Sequence, residues 1–141
     1  MMKKATMLAA CILLLTQGGA LAHGGEMHGK KHRDTRMDKL HRIMPMYAEA
    51  QTKINGALEK GDATTVEAEA GEMAGTIPDL KKAKPHKNLK KIDTFKKIAD
   101  DFGSKVTATV ALAKKGDIAG AKTAFKKAEE KCNECHATFR D

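Results

Sequence analysis

Residues 131–140 read Lys-Cys-Asn-Glu-Cys-His-Ala-Thr-Phe-Arg, and the rest of the chain is organised around this stretch. Cys132, Cys135 and His136 form C-x-x-C-H, the attachment signature of a c-type haem. Two thiols one helical turn apart can each form a thioether with one vinyl group of the same porphyrin, and the adjacent imidazole can bind the iron. The sequence therefore predicts one covalent haem c, with thioethers at Cys132 and Cys135 and His136 as the proximal axial ligand.

Three other kinds of site use closely spaced cysteines, and the surroundings of this pair argue against each. A thioredoxin-like dithiol opens a helix inside a βαβ unit, whereas Cys132 and Cys135 end a helical pattern with no strand nearby. A zinc site needs further Cys or His ligands at compatible spacing; the other histidines are scattered and no second Cys pair exists. A disulfide between helix residues three apart would be strained.

The N-terminus has the three parts of a secretory signal. Residues 1–4, Met-Met-Lys-Lys, form a basic start, residues 5–15 form an apolar run, and residues 20–22, Ala-Leu-Ala, offer a cleavage site. The apolar run is too short to span a bilayer. Residues 8–11, Leu-Ala-Ala-Cys, resemble a lipoprotein cleavage box, but this alternative would leave too short an apolar region. We expect a cleaved signal peptide at residues 1–22 and a periplasmic protein.

Cleavage leaves residues 23–141, which are 119 residues and enough for one compact domain with a modest core. It also removes Cys11, so only the motif cysteines remain and no disulfide framework can form. Of the 26 Lys and Arg, Lys3 and Lys4 are lost. The mature chain then has 24 basic and 18 acidic residues, so its net charge is +6 with His neutral. This charge favours acidic partners, and no nucleic-acid motif accompanies it.

Residues 23–33 read His-Gly-Gly-Glu-Met-His-Gly-Lys-Lys-His-Arg and lack helical periodicity. We interpret them as a flexible His-rich leader that precedes the haem domain at residues 34–141. The leader histidines could bind a metal weakly, which gives a haem-free metal-binding bundle as a distant alternative.

From Asp34 onwards, inward-facing residues recur at spacings of three and four along the helical segments, as in the stripes of helices that form a bundle. The first stripe contains one polar residue, Gln51, which has no assigned role. The four stripes are Met37, Leu40, Met44, Tyr47, Gln51, Ile54 and Leu58; Val66, Ala70, Met73 and Ile77; Ile92, Phe95, Ala99, Phe102, Val106, Thr109 and Ala113; and Ile118, Ala121, Phe125, Ala128, Cys132, Cys135 and Phe139.

Caps and helix breakers mark where these helices begin and end. Thr35-x-x-Asp38 resembles a capping box, and Pro45 should kink the first helix or leave its first turns loosely attached. Pro78 should end the second helix, and residues 79–88 are expected to form a basic loop. Gly103 is expected to be a weak point in the third helix.

Lys-Gly-Asp occurs at residues 60–62 and again at 115–117, where Gly suits a helix end and Asp the next helix start. Two such hairpins and four amphipathic helices predict an all-α fold. The expected architecture is an antiparallel, up-down-up-down four-helix bundle with covalent haem near the C-terminal helix.

The pattern resembles the cytochrome c′ family, the class II c-type cytochromes. That family is a four-helix bundle whose last helix carries C-x-x-C-H followed by an aromatic and a basic residue, which are here Cys132, Cys135, His136, Phe139 and Arg140. The resemblance implies haem c and is compatible with a homodimer, since such bundles often pair. Some members leave the sixth iron position open and bind nitric oxide or carbon monoxide, whereas others place a Met of the first helix there and carry electrons.

Helix geometry indicates which Met of the first helix could reach the iron. His136 lies 19 residues after Asp117, and the residue 19 positions before Gly61 on the antiparallel first helix is Arg42. Met44 is two residues from Arg42, roughly 3 Å of rise, and belongs to the inward stripe. The sequence therefore predicts Met44 as the distal axial ligand, and a core-filling Met44 is the competing interpretation.

Other side chains of the first helix are weaker candidates. Met46 lies about 200° further round the helix and should face outward unless Pro45 shifts the register. Met37 is about 7 Å too low, and His41 flanks the stripe one turn earlier. The alternatives to Met44 are thus Met46 and an open sixth position.

These features predict an exported one-electron carrier rather than an enzyme, because no catalytic acid, base or nucleophile constellation is evident. The alternative is a five-coordinate haem protein that binds or senses small gases such as nitric oxide and carbon monoxide. A lysine cluster near the second loop would suit an acidic redox partner, although a solvated basic face is the simpler interpretation. The cluster consists of Lys81, Lys82, Lys84, Lys87, Lys90 and Lys91.

Overall fold

The computed structural model describes residues 34–140. The predicted signal peptide (1–22) and His-rich leader (23–33) lie outside these residues. The described chain forms α1 (Thr35–Lys60), α2 (Ala63–Gly75), α3 (Ile77–Lys82), α4 (Ile92–Lys114) and α5 (Ile118–Phe139), with a 3₁₀ turn at Leu89–Lys91. Helices α1, α2, α4 and α5 form the predicted four-helix bundle, and no strand occurs in residues 34–140. No helix in this range combines the length and apolarity needed to cross a lipid bilayer.

The N-cap of α1 lies one residue earlier than predicted. The side chain of Asp34 accepts a 3.1 Å hydrogen bond from the backbone N–H of Arg36, so Asp34 is the N-cap and Thr35 is already helical. The predicted capping box at Thr35 is therefore wrong. The helix runs through Pro45 and ends at Gly61, whose φ of 71° is in the left-handed region that favours glycine.

The two Lys-Gly-Asp hairpins have the predicted geometry. Gly116 repeats the left-handed conformation of Gly61, with a φ of 72°. Asp62 and Asp117 then cap the following helices, each accepting a hydrogen bond from the backbone N–H three residues on, at 3.1 Å and 2.8 Å. Short turns of this kind bring consecutive helices back antiparallel.

The connection between α2 and α4 differs from the prediction. Helix α2 ends at Gly75, and Pro78 lies in the first turn of the short helix α3 instead of ending α2. A proline at this position costs little because the first N–H groups of a helix have no intrahelical partner. Residues 77–82, mostly predicted as loop, are therefore helical. Gly103 lets this segment approach α4, since a β-carbon there would lie 2.9 Å from Cγ2 of Ile77.

Helix α4 packs most extensively against α5 and α2. Its predicted stripe is buried apart from Ile92, which is half-buried. Helix α1 has a wider buried face than predicted, because Ile43, Ala50 and Ala57 join the stripe. In contrast, Met44 and Gln51 of that stripe are only half-buried. Helices α1 and α5 make few contacts with each other, and a cavity lies between them.

Candidate haem site

The cavity has a volume of about 470 Å³ and lies at the end of the bundle where α5 finishes. This volume is within the ~300–1,000 Å³ range of small-molecule and cofactor sites. Most of its wall is apolar and comes from α1, α4 and α5. The large side chains of that wall include Leu40, Tyr47, Phe95, Phe102, Phe125 and Phe139.

Both motif thiols line this cavity. Cys132 and Cys135 are half-buried and unbonded, and they continue the inward face of α5 beyond Ala128. Burial raises the pKa of each thiol to about 11, and for Cys132 the neighbouring Cys135 adds to this effect. The thiols are therefore protonated at neutral pH, unlike the low-pKa thiolates of dithiol oxidoreductases.

His136 also lines the cavity and is half-buried in the last turn of α5. Its pKa is lowered, first because burial disfavours the imidazolium and then because Arg140 is nearby. A neutral imidazole keeps the lone pair that metal coordination requires. The backbone N–H of Arg140 donates a 3.1 Å hydrogen bond to the carbonyl of His136, which holds the helix end that carries the imidazole.

The position of this helix end is fixed by aromatic packing. Phe139 is buried and meets Phe95 of α4 edge to face, with ring centroids 5.3 Å apart and an interplanar angle of 82°. The predicted stripe of α5 therefore continues through the motif to Phe139, the last residue of the helix. This register is what turns Cys132, Cys135 and His136 towards the cavity.

Met44 of α1 lines the same cavity as His136 of α5. Met46 does not line it, and its predicted outward orientation is wrong, because its side chain is half-buried against the hydrophobic core. Its position follows from the wider buried face of α1. Met37, the third candidate, does not line the cavity. Among the Met residues of α1, Met44 alone is thus placed beside the motif.

His41 lines the cavity as well, at its exposed edge. Its ring stacks on that of His86 from the loop after α3, with centroids 5.1 Å apart and an interplanar angle of 29°. His86 was not singled out in the sequence, because nothing there indicates that this loop reaches α1. The two imidazoles therefore line one side of the opening.

Tyr47 is a cavity residue for which the sequence suggested no role beyond packing. Its hydroxyl lies 2.9 Å from Oγ1 of Thr76 and donates a 3.4 Å bond to the carbonyl of Met73. Burial raises the pKa of Tyr47 to about 12, so the phenol stays neutral. It joins α1 to the end of α2 and helps to hold the cavity wall.

The residues present fit a covalently attached haem. The apolar wall can accept a porphyrin, and the two thiols lie three residues apart on one helix, as attachment to two vinyl groups of one porphyrin requires. His136 and Met44 supply a nitrogen and a sulfur donor from different helices. Within residues 34–140, no three His, Cys, Asp or Glu side chains are arranged to hold a metal ion by themselves.

The family model described as Cytochrome C′ matches residues 79–140. The matched part runs from α3 to the end of α5 and includes Cys132, Cys135 and His136, whereas Met44 lies outside it. Neither the comparison with curated proteins nor that with solved structures gives a match.

Proposed function

Because this chain belongs to the cytochrome c′ family, we propose that it is an exported one-electron carrier with one haem c. Proteins of this family bind haem c covalently. When bound, the haem supplies an iron that cycles between ferric and ferrous states. The residues of the chain then have three tasks, which are to attach the cofactor, to ligate it and to keep water away from it.

Cys132 and Cys135 attach the haem in this proposal. Their thiols would hold the haem as thioethers, each S–H adding across one vinyl group so that the sulfur bonds to one carbon, the hydrogen goes to the other and nothing is released. The raised pKa values are consistent with thiols that stay neutral inside an apolar wall until attachment. His136 would bind the iron from the same helix, through an imidazole whose pKa burial lowers.

Met44 is the sixth ligand in this proposal. The observation that carries the electron-carrier function is that one cavity is lined by Met44 from α1 and by His136 from α5. A thioether ligand favours the ferrous state and raises the reduction potential. Two protein ligands would also leave no free iron position for a gas, which would distinguish this function from binding or sensing of nitric oxide or carbon monoxide.

Optical spectra of the holoprotein test this proposal. We expect a low-spin ferric spectrum with a sulfur-to-iron charge-transfer band, and a ferrous spectrum that carbon monoxide changes slowly or not at all. A high-spin ferric spectrum without that band, together with rapid carbon monoxide binding, would instead support the gas-binding alternative. Mass spectrometry of the intact protein would count the haems, with an expected value of one.

The proposal includes periplasmic location and an acidic redox partner, and it assigns no catalysis to protein side chains. Family proteins are typically exported, and the mature net charge of +6 favours encounter with acidic surfaces. Fractionation of the producing cells is expected to recover haem-stained protein of the cleaved mass in the periplasm. Recovery of the uncleaved chain in the cytoplasm would contradict the location.

A further inference from the structure

Leu89 is the exposed large hydrophobic residue among residues 34–140, with 48% of its surface accessible. It opens the short 3₁₀ turn before α4 and is followed there by Lys90 and Lys91, while Lys87 lies two residues before it. All three lysines are exposed. An apolar side chain among lysines is therefore presented to solvent at this turn.

The lysines of the predicted cluster divide into two groups. Lys81 forms a 2.6 Å ion pair with Asp100, and Lys84 a 2.8 Å ion pair with Asp34. In the described part of the chain, Lys82, Lys87, Lys90 and Lys91 form no ion pair, and three of these four adjoin Leu89. The uncompensated positive charge is therefore concentrated around the exposed apolar residue rather than spread along the whole loop.

This turn is fixed to the end of the helix that carries the haem motif. The backbone N–H of Lys87 donates a 3.3 Å hydrogen bond to the carbonyl of Phe139, and the side-chain amide of Asn88 donates one to the carbonyl of Thr138. Asn88 adopts a left-handed conformation with φ of 57°, which Asn tolerates better than most residues. The exposed turn is therefore hydrogen-bonded to Thr138 and Phe139, which lie two and three residues after His136.

We propose that Leu89, together with Lys87, Lys90 and Lys91, is the docking surface for an acidic electron-transfer protein. The partner would present carboxylates around a small apolar patch. This inference rests on the electron-carrier function proposed above and names the partner chemistry of the same site. In each encounter one protein loses the electron that the other gains, and no atom or proton is transferred.

Charge and apolar contact have separate tasks on such a surface. Rim lysines steer the encounter and raise the association rate, an effect that salt screens. A small apolar centre gives the short-lived contact that electron-transfer complexes need, with a buried area below about 1,200 Å². Packing of the fold does not account for the exposed Leu89 or for the lysines around it. Leu89 is exposed, and these lysines make no ion pair within the described residues.

The test uses holoprotein on a gold electrode coated with a mixed monolayer of carboxylate-terminated and methyl-terminated alkanethiols, which stands in for an acidic, partly apolar partner surface. The variant Lys87→Gln/Lys90→Gln/Lys91→Gln leaves the backbone hydrogen bonds in place. We expect it to lower the interfacial electron-transfer rate constant by about tenfold at low ionic strength, with the difference disappearing at high salt. The matched control removes three exposed lysines from the first half of α5, Lys122→Gln/Lys126→Gln/Lys127→Gln, and is expected to change the rate by less than about twofold.

Leu89→Ser tests the apolar centre separately. We expect it to lower the rate by roughly fivefold at every ionic strength on the mixed monolayer, and to have no effect when hydroxyl groups replace the methyl groups. The docking surface would be overturned if the two triple variants lowered the electron-transfer rate constant equally. It would also be overturned if Leu89→Ser left that rate constant unchanged, or if the first triple variant did.

Voltammetry of freely diffusing holoprotein separates this inference from the proposed function. A reversible one-electron wave with the same midpoint in the wild type and all variants is expected. If the wild type gave no such wave, the electron-carrier function itself would fail. If the first triple variant lost binding to anionic phosphatidylglycerol vesicles yet kept its full rate on the electrode, the surface would be for lipid and the inference would be wrong.

Discussion

Gln51 of α1 donates a 2.7 Å hydrogen bond from Nε2 to Oε1 of Glu129 on α5. Asn55, one turn further along α1, donates a 2.8 Å bond to the same oxygen. Gln51 and Glu129 both line the cavity, in a region where α1 and α5 otherwise make few contacts. The half-buried carboxylate therefore joins the helix that carries Met44 to the helix that carries the haem motif.

Glu129→Ala is expected to lower the free energy of unfolding of the holoprotein. Hydrogen bonds to a charged group contribute ~1.5–3 kcal/mol, and here two donors lose their shared acceptor. Denaturant titration monitored by circular dichroism would give the difference. Glu130→Ala, at an exposed neighbouring position, is the control and should stay within about 0.5 kcal/mol of the wild type. Equal stability of the two variants would contradict the bridge.

Met44→Ala is expected to lower the haem reduction potential and to open the sixth iron position. Loss of a thioether removes the preference for the ferrous state, and the potential should fall by roughly 100 mV or more, a small part of the ~0.8 V range that axial ligands span. Potentiometric titration and carbon monoxide binding measure the two effects. Met46→Ala is the matched control because Met46 packs against the core without lining the cavity, and it should change neither quantity.

Phe139→Ala is expected to destabilise the holoprotein by about 3–5 kcal/mol, the usual cost of truncating a buried Phe. Phe139 is 3% exposed and packs edge to face on Phe95. Because it lies three residues after His136, the truncation should also broaden the haem absorption bands at temperatures below unfolding. Phe139→Leu keeps most of the volume and should cost less than half as much. A loss below about 1 kcal/mol in Phe139→Ala would show that this contact does not anchor α5.

Asp34→Asn tests the ion pair between the start of α1 and the loop after α3. The hydrogen bond from Lys84 lowers the pKa of Asp34 to about 2, with the backbone N–H of Arg36 as the second cause. Because the folded-state pKa is depressed, this stabilisation is present above the ordinary pKa and is lost as the pH falls from about 4 to about 2. Asn still caps a helix, so the substitution removes mainly the charge.

The measurement is the difference in denaturation midpoint between the wild type and Asp34→Asn, which should be positive at pH 6 and shrink towards zero at pH 2. Asp93→Asn is the comparison, since that carboxylate is 96% exposed and lies 3.9 Å from Lys96. The denaturation midpoint of Asp93→Asn should differ only slightly from that of the wild type at every pH. A constant difference for Asp34→Asn across this range would rule out the ion pair as its cause.

The sequence predicted the parts of the site that depend on helical periodicity and missed those that depend on contacts distant along the chain. Alternating spacings carried the α5 stripe correctly through both thiols to Phe139, because an unbroken helix preserves its register. The pairing of Gln51 with Glu129, 78 positions apart, has no signal in one sequence. The same holds for the stacking of His41 on His86, which depends on where the loop after α3 folds back.

Local chemistry was predictable where one rule applied and misleading where two competed. Both Lys-Gly-Asp turns followed from the left-handed preference of Gly and the capping ability of Asp. Pro78 was misassigned because proline both ends a helix and is favoured in the first turn of the next one. Met46 was expected outside because a narrow stripe was assumed, whereas Ile43, Ala50 and Ala57 widen the buried face of α1.

Gly103 and Gly71 lie inside helices but should respond oppositely to substitution by alanine. Alanine gains ~1 kcal/mol of helix propensity at either position. A β-carbon at Gly71 meets no atom within 4 Å, so Gly71→Ala should raise the free energy of unfolding by about 0.5–1 kcal/mol. At Gly103 the β-carbon would lie 2.9 Å from Cγ2 and 3.2 Å from Cγ1 of Ile77, and both atoms are on a β-branched side chain that cannot swing away.

Overpacking costs ~1–3 kcal/mol and exceeds the propensity gain, so Gly103→Ala should destabilise the holoprotein. The double variant Gly103→Ala/Ile77→Ala removes the clash and should regain part of the loss, which separates a steric effect from a backbone one. Thermal denaturation of the four proteins measures these differences. If Gly103→Ala proved as stabilising as Gly71→Ala, the close approach of α3 to α4 at this point would be wrong.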